Sequence, residues 1–222
     1  MNNLHHIAFI MDGNGRWGKK RSKSRNYGHL KGVEVIRKII RGSLKLQIPI
    51  VSFYVFSSEN WKRPEKEKNY LFKLIKRYFS IELNNIIYQG IKINILGDFK
   101  KFSSDLKLVL KKTTELTKKN RKIIVNLAIN YGSKMEIIQA FKKTKGDFKI
   151  ENFEKNLFTK NMPNPDILIR TGGYQRLSNF LLWQLAYTEL FFLKKLWPDF
   201  NIKDLLKIIK KFKKIKRNFG KI

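Results

Sequence analysis

Short apolar runs alternate along this chain with longer segments of helical spacing. Each run is rich in isoleucine, valine or phenylalanine and is too short for a stable helix, so the runs predict strands. Strands that alternate with helices predict an α/β fold, with a central, largely parallel sheet of about six strands surrounded by helices. The predicted strands are residues 7–11, 50–56, 91–96, 123–129, 166–169 and 190–193.

Apolar residues recur three and four positions apart between most of these strands, in residues 33–44, 71–87 and 106–116, which predicts helices there. A fourth segment, residues 202–216, places apolar residues at mostly helical spacing among lysines. This pattern is typical of a basic amphipathic helix lying on an anionic membrane. It is equally typical of a helix that packs on the core with its lysines in solvent, and the pattern leaves both interpretations open.

Polar loops rich in glycine, serine and asparagine follow four of the predicted strands. In an open parallel sheet, ligands bind beyond the carboxyl ends of the strands, so these loops are expected to converge on one crevice. The loops are residues 12–15, 57–61, 130–132 and 170–173.

The first of these loops has the most informative sequence, Asp12-Gly13-Asn14-Gly15-Arg16-Trp17. Its glycines allow the backbone to approach a ligand closely, Arg16 adds a forked cation, and Asp12 is a ligand type for a hard metal ion. An anion site is therefore one interpretation, and an ordinary tight turn is the other. A Gly-x-Gly-x-x-Gly pattern also begins at Gly13, but the polar, basic residues 19–26 follow it where a dinucleotide site needs an apolar-faced helix.

Composition favours one intracellular domain. The 222 residues fit a single α/β domain spanning 1–222, and the 42% apolar residues are spread along the chain without a linker or repeat. The absence of cysteine excludes disulfides and thiolate metal sites. No signal-peptide pattern occurs, and the most apolar stretch, residues 180–193, is too short and too polar to cross a bilayer. A cytoplasmic location is expected, with peripheral contact at the inner face of the membrane as a further possibility.

The net charge of +31 favours anionic partners such as nucleic acid, anionic lipid or polyphosphate. Most of the excess is lysine, accompanied by much isoleucine and asparagine, which an AT-rich genome also produces. The arginines are more selective, because planar forks grip phosphate bidentately. Nucleic acid is not expected as a partner, since the aromatic residues lie in apolar segments and do not alternate with arginines. The arginines beside polar loops are Arg16, Arg25, Arg63, Arg170 and Arg176.

Several further blocks join the first loop in an ordered set of motifs. Together they resemble the cis-prenyltransferase family, and the resemblance covers essentially the whole chain. The matching blocks are residues 12–17, 28–29, 56–64, 170–184, 189 and 196–200, with Phe219-Gly220 near the C-terminus.

This resemblance implies that farnesyl diphosphate is condensed with successive isopentenyl diphosphates, with Mg²⁺ as the cofactor and each new double bond in the cis geometry. It implies a homodimer and a long-chain polyprenyl diphosphate, the precursor of the cell-wall lipid carrier. A non-catalytic relative that assists a partner enzyme is the alternative. Such subunits generally lack the metal aspartate and several arginines, whereas Asp12 and Arg16 are present here.

The resemblance also implies roles for individual residues. Asp12 matches the catalytic residue that binds Mg²⁺ and diphosphate, and Glu189 matches a second metal-linked carboxylate. Asn60 matches a residue to which proton acceptance is ascribed, although a neutral amide is a very weak base; the leaving diphosphate and His29 are the alternatives. The other residues expected to bind substrate are Gly13, Asn14, Gly15, Arg16, Trp17, Arg25, His29, Ser57, Ser58, Glu59, Trp61 and Arg63 for the allylic side and reacting carbons, and Arg170, Arg176, Leu177 and Ser178 for isopentenyl diphosphate.

Two positions depart from the family pattern. Tyr174 stands where the family commonly has a glutamate, and Ser133-Lys134 replaces a commoner Gly-Arg pair.

Purely structural roles are also open for some of the residues discussed. Trp17 and Trp61 are candidates for plain core aromatics, and His29 for a helix cap. Ser133 and Glu136 have the spacing of a capping box that opens a helix at Lys134.

Overall fold

Six parallel strands form one sheet in the computed structural model of the protein, which describes residues 3–146 and 148–218. The strand order is β3-β4-β2-β1-β5-β6. The predicted sheet of about six strands is confirmed, and each strand ends within two residues of its predicted bounds. Phe219-Gly220 lies outside the described residues. The strands are β1 His6–Ile10, β2 Ile50–Ser57, β3 Ile91–Leu96, β4 Ile123–Tyr131, β5 Ile167–Arg170 and β6 Glu189–Phe192.

Helices surround the sheet and include the four segments predicted from apolar spacing. Two short helices, at residues 14–20 and 150–154, were not predicted, and the first begins inside the predicted loop at residues 12–15. Short 3₁₀ helices span Ser58–Lys62 and Trp197–Asp199. The α-helices are α1 Asn14–Lys20, α2 Arg25–Lys45, α3 Glu65–Tyr88, α4 Ser104–Thr117, α5 Ser133–Lys143, α6 Ile150–Glu154 and α7 Ile202–Phe212.

Both faces of the sheet are buried, as a parallel sheet requires. Alternate residues of β1 show this directly, because Ile7 and Phe9 belong to the larger core while Ala8 and Ile10 belong to the smaller one. The larger core includes buried residues of α2, α3, α4 and α7. Because both faces of the sheet are covered, polar side chains are placed where the strands end, at their carboxyl ends.

Helix α7 resolves the ambiguity of the lysine-rich C-terminal segment. Leu205, Ile208 and Phe212 are buried in the larger core, and Ile202 packs against Gly42 of α2. The lysines of α7 face solvent, so its apolar stripe is occupied by the core and is not available to a bilayer. None of the helices in residues 3–146 and 148–218 is long and apolar enough to span a membrane.

Hydrogen bonds tie the strands together near their amino ends. The Oγ atom of Ser52 lies 2.7 Å from His6 Nε2 and accepts a bond of 2.9 Å from Asn126 Nδ2. Asn94 Nδ2 donates to Asn126 Oδ1 at 3.1 Å, which extends the row to β3. Burial lowers the pKa of His6 to about 4, so the imidazole is neutral at physiological pH.

The predicted capping box at Ser133 is wrong. Helix α5 begins after Gly132, and no side chain caps it. Ser133 Oγ accepts a hydrogen bond from Leu182 N at 2.9 Å, and the Glu136 carboxylate accepts bonds from Phe158 N and the Tyr131 hydroxyl. Both side chains are buried, and each accepts hydrogen bonds from residues outside its own helix. Local residue spacing does not encode such tertiary contacts.

Candidate active site

A polar cleft of about 370 Å³ opens at the carboxyl ends of β1, β2 and β5. Three of the four predicted polar loops line it. The fourth loop lies beside it, where Asn130 Oδ1 accepts a hydrogen bond of 2.7 Å from Trp61 Nε1. The cleft is lined by Ile10, Met11, Asp12, Gly13, Asn14, Gly15, Arg16, Arg25, His29, Tyr54, Val55, Ser57, Asn60, Arg63, Arg170, Arg176 and Ser178.

Asp12 lies between two guanidinium groups just beyond β1. Its Oδ1 accepts from Arg16 Nη2 at 3.2 Å and its Oδ2 from Arg170 Nη2 at 3.0 Å. The Thr171 hydroxyl donates to the Asp12 carbonyl at 2.8 Å and fixes its backbone. The side chain of Asp12 is 28% exposed, so a carboxylate held firmly by protein still faces the cleft.

Two glycines make room for the guanidinium groups of Arg16 and Arg25. At Gly172, φ is +91°, and an added Cβ would lie 2.6 Å from Arg16 Nη2. At Gly15, an added Cβ would lie 2.7 Å from Arg25 Cζ. Contacts this short are not tolerated, so any larger residue at either position would displace an arginine from the cleft.

Arg170 organises the loop that follows β5. Its side chain is 3% exposed and donates to the Arg176 carbonyl, to Ser178 Oγ at 2.8 Å and to Asp12. The Tyr54 hydroxyl lies 3.2 Å from the Ser178 carbonyl and supports the same loop from β2. Arg170 is therefore committed to holding Asp12 and residues 176–178 in place.

Glu67 joins three cleft residues and was missed from the sequence. It lies in the first turn of α3, where it accepts bonds from Arg25 Nε at 3.0 Å and Arg63 Nη1 at 3.2 Å. His29 Nε2 lies 3.2 Å from the same carboxylate. These contacts, that of His29 first, lower the pKa of Glu67 to about 2. The available signal was a pair of glutamates, Glu65 and Glu67, between Arg63-Pro64 and the predicted helix at residues 71–87.

The cap interpretation of His29 is wrong, because Ser24 caps α2 and His29 lies inside the helix. An ionised carboxylate only accepts hydrogen bonds, so His29 Nε2 donates to Glu67. In the neutral ring, Nδ1 is then an acceptor. The Asn60 side chain is bonded to the backbone instead. Its Oδ1 accepts a hydrogen bond of 3.1 Å from Ser57 N, at the amino end of the 3₁₀ helix Ser58–Lys62.

Five expected substrate-binding residues have their side-chain contacts outside the cleft lining. Trp17 is buried and donates from Nε1 to Asp199 at 2.6 Å. Trp61 packs edge-to-face against Phe56 in an aromatic cluster, and Glu59 accepts a hydrogen bond from Asn179 at 2.8 Å. Trp61 packs against the larger core and Trp17 stacks on Tyr27, and for both the substrate-binding role stays a prediction. Leu177 packs against the smaller core, and Ser58 lies against Gly132.

Glu189 is separated from Asp12, contrary to the expectation that both serve one metal site. Strand register places Glu189 beside Ile167 and Ile167 beside Ile7, at the amino ends of their strands. Asp12 lies five residues beyond Ile7, roughly 15 Å further along at the rise of a β-strand. Glu189 Oε1 instead lies 3.8 Å from Arg217 Nε. Within one chain, the two carboxylates are too far apart to share an ion.

Asp12 is the carboxylate that fits a metal in the cleft. Residues 3–146 and 148–218 contain no group of three or more histidine, aspartate or glutamate side chains arranged to hold an ion. Mg²⁺ is commonly bound through only one or two carboxylates, with substrate phosphates and water completing its shell. A single accessible aspartate among the arginines of the cleft suits that mode of binding.

An apolar cavity of about 90 Å³ adjoins the polar cleft and shares four lining residues with it: Met11, Asn14, His29 and Val55. It continues between α2 and α3 into a smaller cavity of about 40 Å³. The arginine-lined cleft and the apolar cavities together suit a ligand with an anionic head and a hydrocarbon tail. The side chains common to the two apolar cavities are Ile36, Tyr78, Phe79 and Leu127.

Comparison with known proteins identifies close sequence relatives. A family model described as "Putative undecaprenyl diphosphate synthase" matches residues 10–220. The isoprenyl transferase of Rickettsia felis is 43% identical, covering 100% of this chain and 96% of the relative. The ditrans,polycis-undecaprenyl-diphosphate synthase ((2E,6E)-farnesyl-diphosphate specific) of Haemophilus influenzae is 41% identical, covering 97% and 94%.

Solved structures show the same architecture. Lavandulyl diphosphate synthase from Lavandula x intermedia, in complex with dimethylallyl diphosphate, superposes with a TM-score of 0.93 at 31% identity and covers 98% of each chain. A probable undecaprenyl diphosphate synthase from Campylobacter jejuni superposes with a TM-score of 0.85 at 34% identity and covers 100% of each.

Proposed function

The chain belongs to the undecaprenyl diphosphate synthase family and is a transferase, and from this premise we propose that it elongates farnesyl diphosphate with successive isopentenyl diphosphates. The product is a long-chain cis-polyprenyl diphosphate that serves as the precursor of the cell-wall lipid carrier. The observation that carries this proposal is the junction of a cleft lined by five arginines with an apolar cavity between α2 and α3. An allylic diphosphate needs both environments at once.

Each condensation breaks the allylic C–O bond, and the diphosphate leaves with the electron pair. The terminal double bond of isopentenyl diphosphate supplies the electron pair of the new C–C bond. The inner CH2 group beside the original double bond then loses a proton, and the electrons of that C–H bond form the new double bond. Negative charge develops on the departing phosphate oxygens, where fixed guanidinium groups stabilise the transition state. On the proposed assignment, Arg16, Arg25 and Arg63 face the allylic diphosphate and Arg176 faces isopentenyl diphosphate.

Mg²⁺ belongs to the same proposal. Asp12 would hold the ion together with diphosphate oxygens, and the ion would act as a Lewis acid on the leaving group. Arg16 and Arg170 keep the Asp12 carboxylate oriented through bonds of 3.2 and 3.0 Å.

The proton acceptor is assigned to the leaving diphosphate or to His29, and Asn60 is assigned an orienting role. The Asn60 amide has negligible basicity, and its oxygen already accepts a backbone hydrogen bond. His29 lines both the cleft and the apolar cavity, and Glu67 holds its ring. Replacing His29 with glutamine leaves the diphosphate as the acceptor, so retention of more than a tenth of kcat would exclude His29.

The direct test is incubation with labelled isopentenyl diphosphate, farnesyl diphosphate and Mg²⁺, followed by sizing of the extracted product. We expect a ladder of polyprenyl diphosphates that requires both substrates and is abolished by a chelator. Release of diphosphate without incorporation of label into a longer chain would overturn the proposal.

Two arginine substitutions are predicted to separate the diphosphate sites. Arg25→Ala should chiefly raise the KM for the allylic substrate, because Arg25 lies at the start of α2 and is paired with Glu67 of α3. Arg176→Ala should chiefly raise the KM for isopentenyl diphosphate. Each loses a charge-assisted contact worth about 1.5–3 kcal/mol, which corresponds to roughly 10- to 150-fold. Initial rates with each substrate varied in turn measure this, and reversed effects would show that the sites are interchanged.

A homodimer is proposed as the working form. Apolar side chains on and just after α5 are about half exposed or more, and they suit burial against a second copy. Sedimentation velocity is expected to give twice the chain mass of 26.4 kDa, and Phe141→Glu is expected to shift the protein toward monomer. A monomeric wild type would contradict this proposal. These side chains are Met135, Ile138, Phe141, Phe148 and Ile150.

Peripheral membrane contact is proposed to be electrostatic, because the apolar stripe of α7 is buried. Its exposed lysines would then bind anionic headgroups, each contributing about 1 kcal/mol near the surface. Co-sedimentation with anionic vesicles should fall as salt rises and when Lys210, Lys211, Lys213 and Lys214 are replaced by glutamine. Equal binding to neutral vesicles would contradict this mode of contact.

A further inference from the structure

The aromatic ring of Tyr174 lies among three arginines of the cleft. Cζ of Arg176 lies 4.1 Å from the ring centroid, Cζ of Arg16 lies 4.9 Å from it and Cζ of Arg170 lies 5.9 Å from it. An aromatic face carries partial negative charge and attracts guanidinium groups at these distances. Tyr174 follows Gly172 and Gly173, both at positive φ, and is 44% exposed.

Arg16 and Arg170 are held by other groups as well. Arg16 donates to Asp12 and, at 2.7 Å, to the Gly172 carbonyl. Arg170 donates to Asp12, Ser178 Oγ and the Arg176 carbonyl. Their positions therefore do not depend on the ring of Tyr174.

Arg176 differs from both. Within the part of the chain that the structure describes, its guanidinium makes no ion pair, and it lies over the ring of Tyr174. A flexible arginine without a carboxylate partner loses side-chain entropy when it is fixed over a ligand. The stacking contact restricts Arg176 and leaves its charge and N–H donors available.

We propose that Tyr174 is a positioning residue that holds Arg176 over the cleft for the diphosphate of isopentenyl diphosphate, an inference that rests on the proposed function. A carboxylate at position 174 would also attract Arg176, but it would neutralise part of the charge that the ligand needs and would repel the incoming phosphate. The aromatic ring fixes the cation without adding a negative charge. This chain thereby keeps a strongly cationic isopentenyl side without the usual glutamate.

The test compares Tyr174→Leu with Tyr174→Phe in the full-length protein. Tyr174→Leu removes the π face and should raise the KM for isopentenyl diphosphate about five- to thirtyfold, with kcat at saturation changed less than about twofold. Tyr174→Phe keeps the face and should stay within about twofold of wild type. Tyr88→Leu makes the same change at an 88% exposed tyrosine at the end of α3 and should have no effect.

A double-mutant cycle separates positioning from a general structural role. In an Arg176→Ala background, Tyr174→Leu should add less than about twofold to the KM, because its effect passes through Arg176. A full additive effect would overturn the proposal, and so would equal losses in Tyr174→Phe and Tyr174→Leu. Thermal midpoints measured alongside show whether each variant is folded.

Calorimetric titration with isopentenyl diphosphate and with inorganic pyrophosphate, without a second substrate, reports on the site independently of turnover. The affinity for isopentenyl diphosphate should fall in Tyr174→Leu by the same factor as the KM rises, whereas pyrophosphate, which the allylic side can also bind, should be affected less. If wild type neither binds these ligands nor forms polyprenyl product, the proposed function itself fails. If wild type does both and Tyr174→Leu matches it, the positioning role alone fails.

Discussion

Asp12→Ala is expected to lower kcat by about 1,000-fold or more while the protein remains folded. The substitution removes the carboxylate assigned to the metal and releases both Arg16 and Arg170, which donate to its two oxygens. Loss of one preorganised electrostatic group typically costs about 100- to 1,000-fold in rate, and here one change disturbs three groups. Steady-state incorporation of labelled isopentenyl diphosphate measures the loss.

Binding and control variants sharpen this prediction. Isopentenyl diphosphate should still bind to Asp12→Ala within about tenfold of wild type in a calorimetric titration, because Arg176 is retained on the other side of the cleft. Asp105→Asn removes one negative charge from an exposed position on α4 and should leave kcat unchanged. An Asp12→Ala enzyme with more than a tenth of wild-type kcat, or wild-type activity in excess chelator, would refute the role assigned to Asp12.

Glu67→Gln is expected to lower kcat/KM for the allylic diphosphate by about 100-fold. The glutamine cannot neutralise Arg25 and Arg63 or accept two charge-assisted bonds as the carboxylate does, so these side chains and His29 lose their fixed positions. Misplacement of a binding group by about 1 Å has a cost of this size. The KM for isopentenyl diphosphate should change less than about threefold, since Arg176 is held from a different loop. Initial rates with each substrate varied measure the two effects.

Stability measurements give a second readout at Glu67. The free energy of unfolding should fall by about 2 kcal/mol in Glu67→Gln, the scale of a charge-assisted hydrogen bond. The folded-state pKa of about 2 lies below the ordinary value of 4.5, so the contribution of the carboxylate is complete above pH 4.5 and is lost as the pH falls toward 2. Urea unfolding of both proteins should therefore show the difference shrinking in acid. Glu115→Gln makes the same change on the exposed face of α4 and is the matched control. In the kinetic measurements, equal losses for both substrates in Glu67→Gln would contradict the assignment of Glu67 to the allylic side.

The parallel sheet and the location of the cleft were determined by sequence pattern. Strand periodicity is local, and glycine-rich loops that follow parallel strands meet at one edge for any such sheet. The loops at Asp12 and at Arg170 could therefore be placed together before the structure was known. The motif resemblance predicted which individual residues bind substrate, and the structure brings Asp12 and the five arginines into one cleft.

Tertiary structure alone decided which groups pair across the cleft. Glu67 lies on a helix 38 residues from His29 and 42 from Arg25, and nothing local to Glu67 specifies those partners. Glu189 shows the converse: its motif matched, but strand register sets it at the opposite edge of the sheet from Asp12. Periodicity likewise identified α7 as amphipathic, whereas only packing showed that its apolar stripe faces the core. Local sequence determines an element and its faces, while partners distant in the chain are set by how the elements pack, because contact energies depend on distance in space.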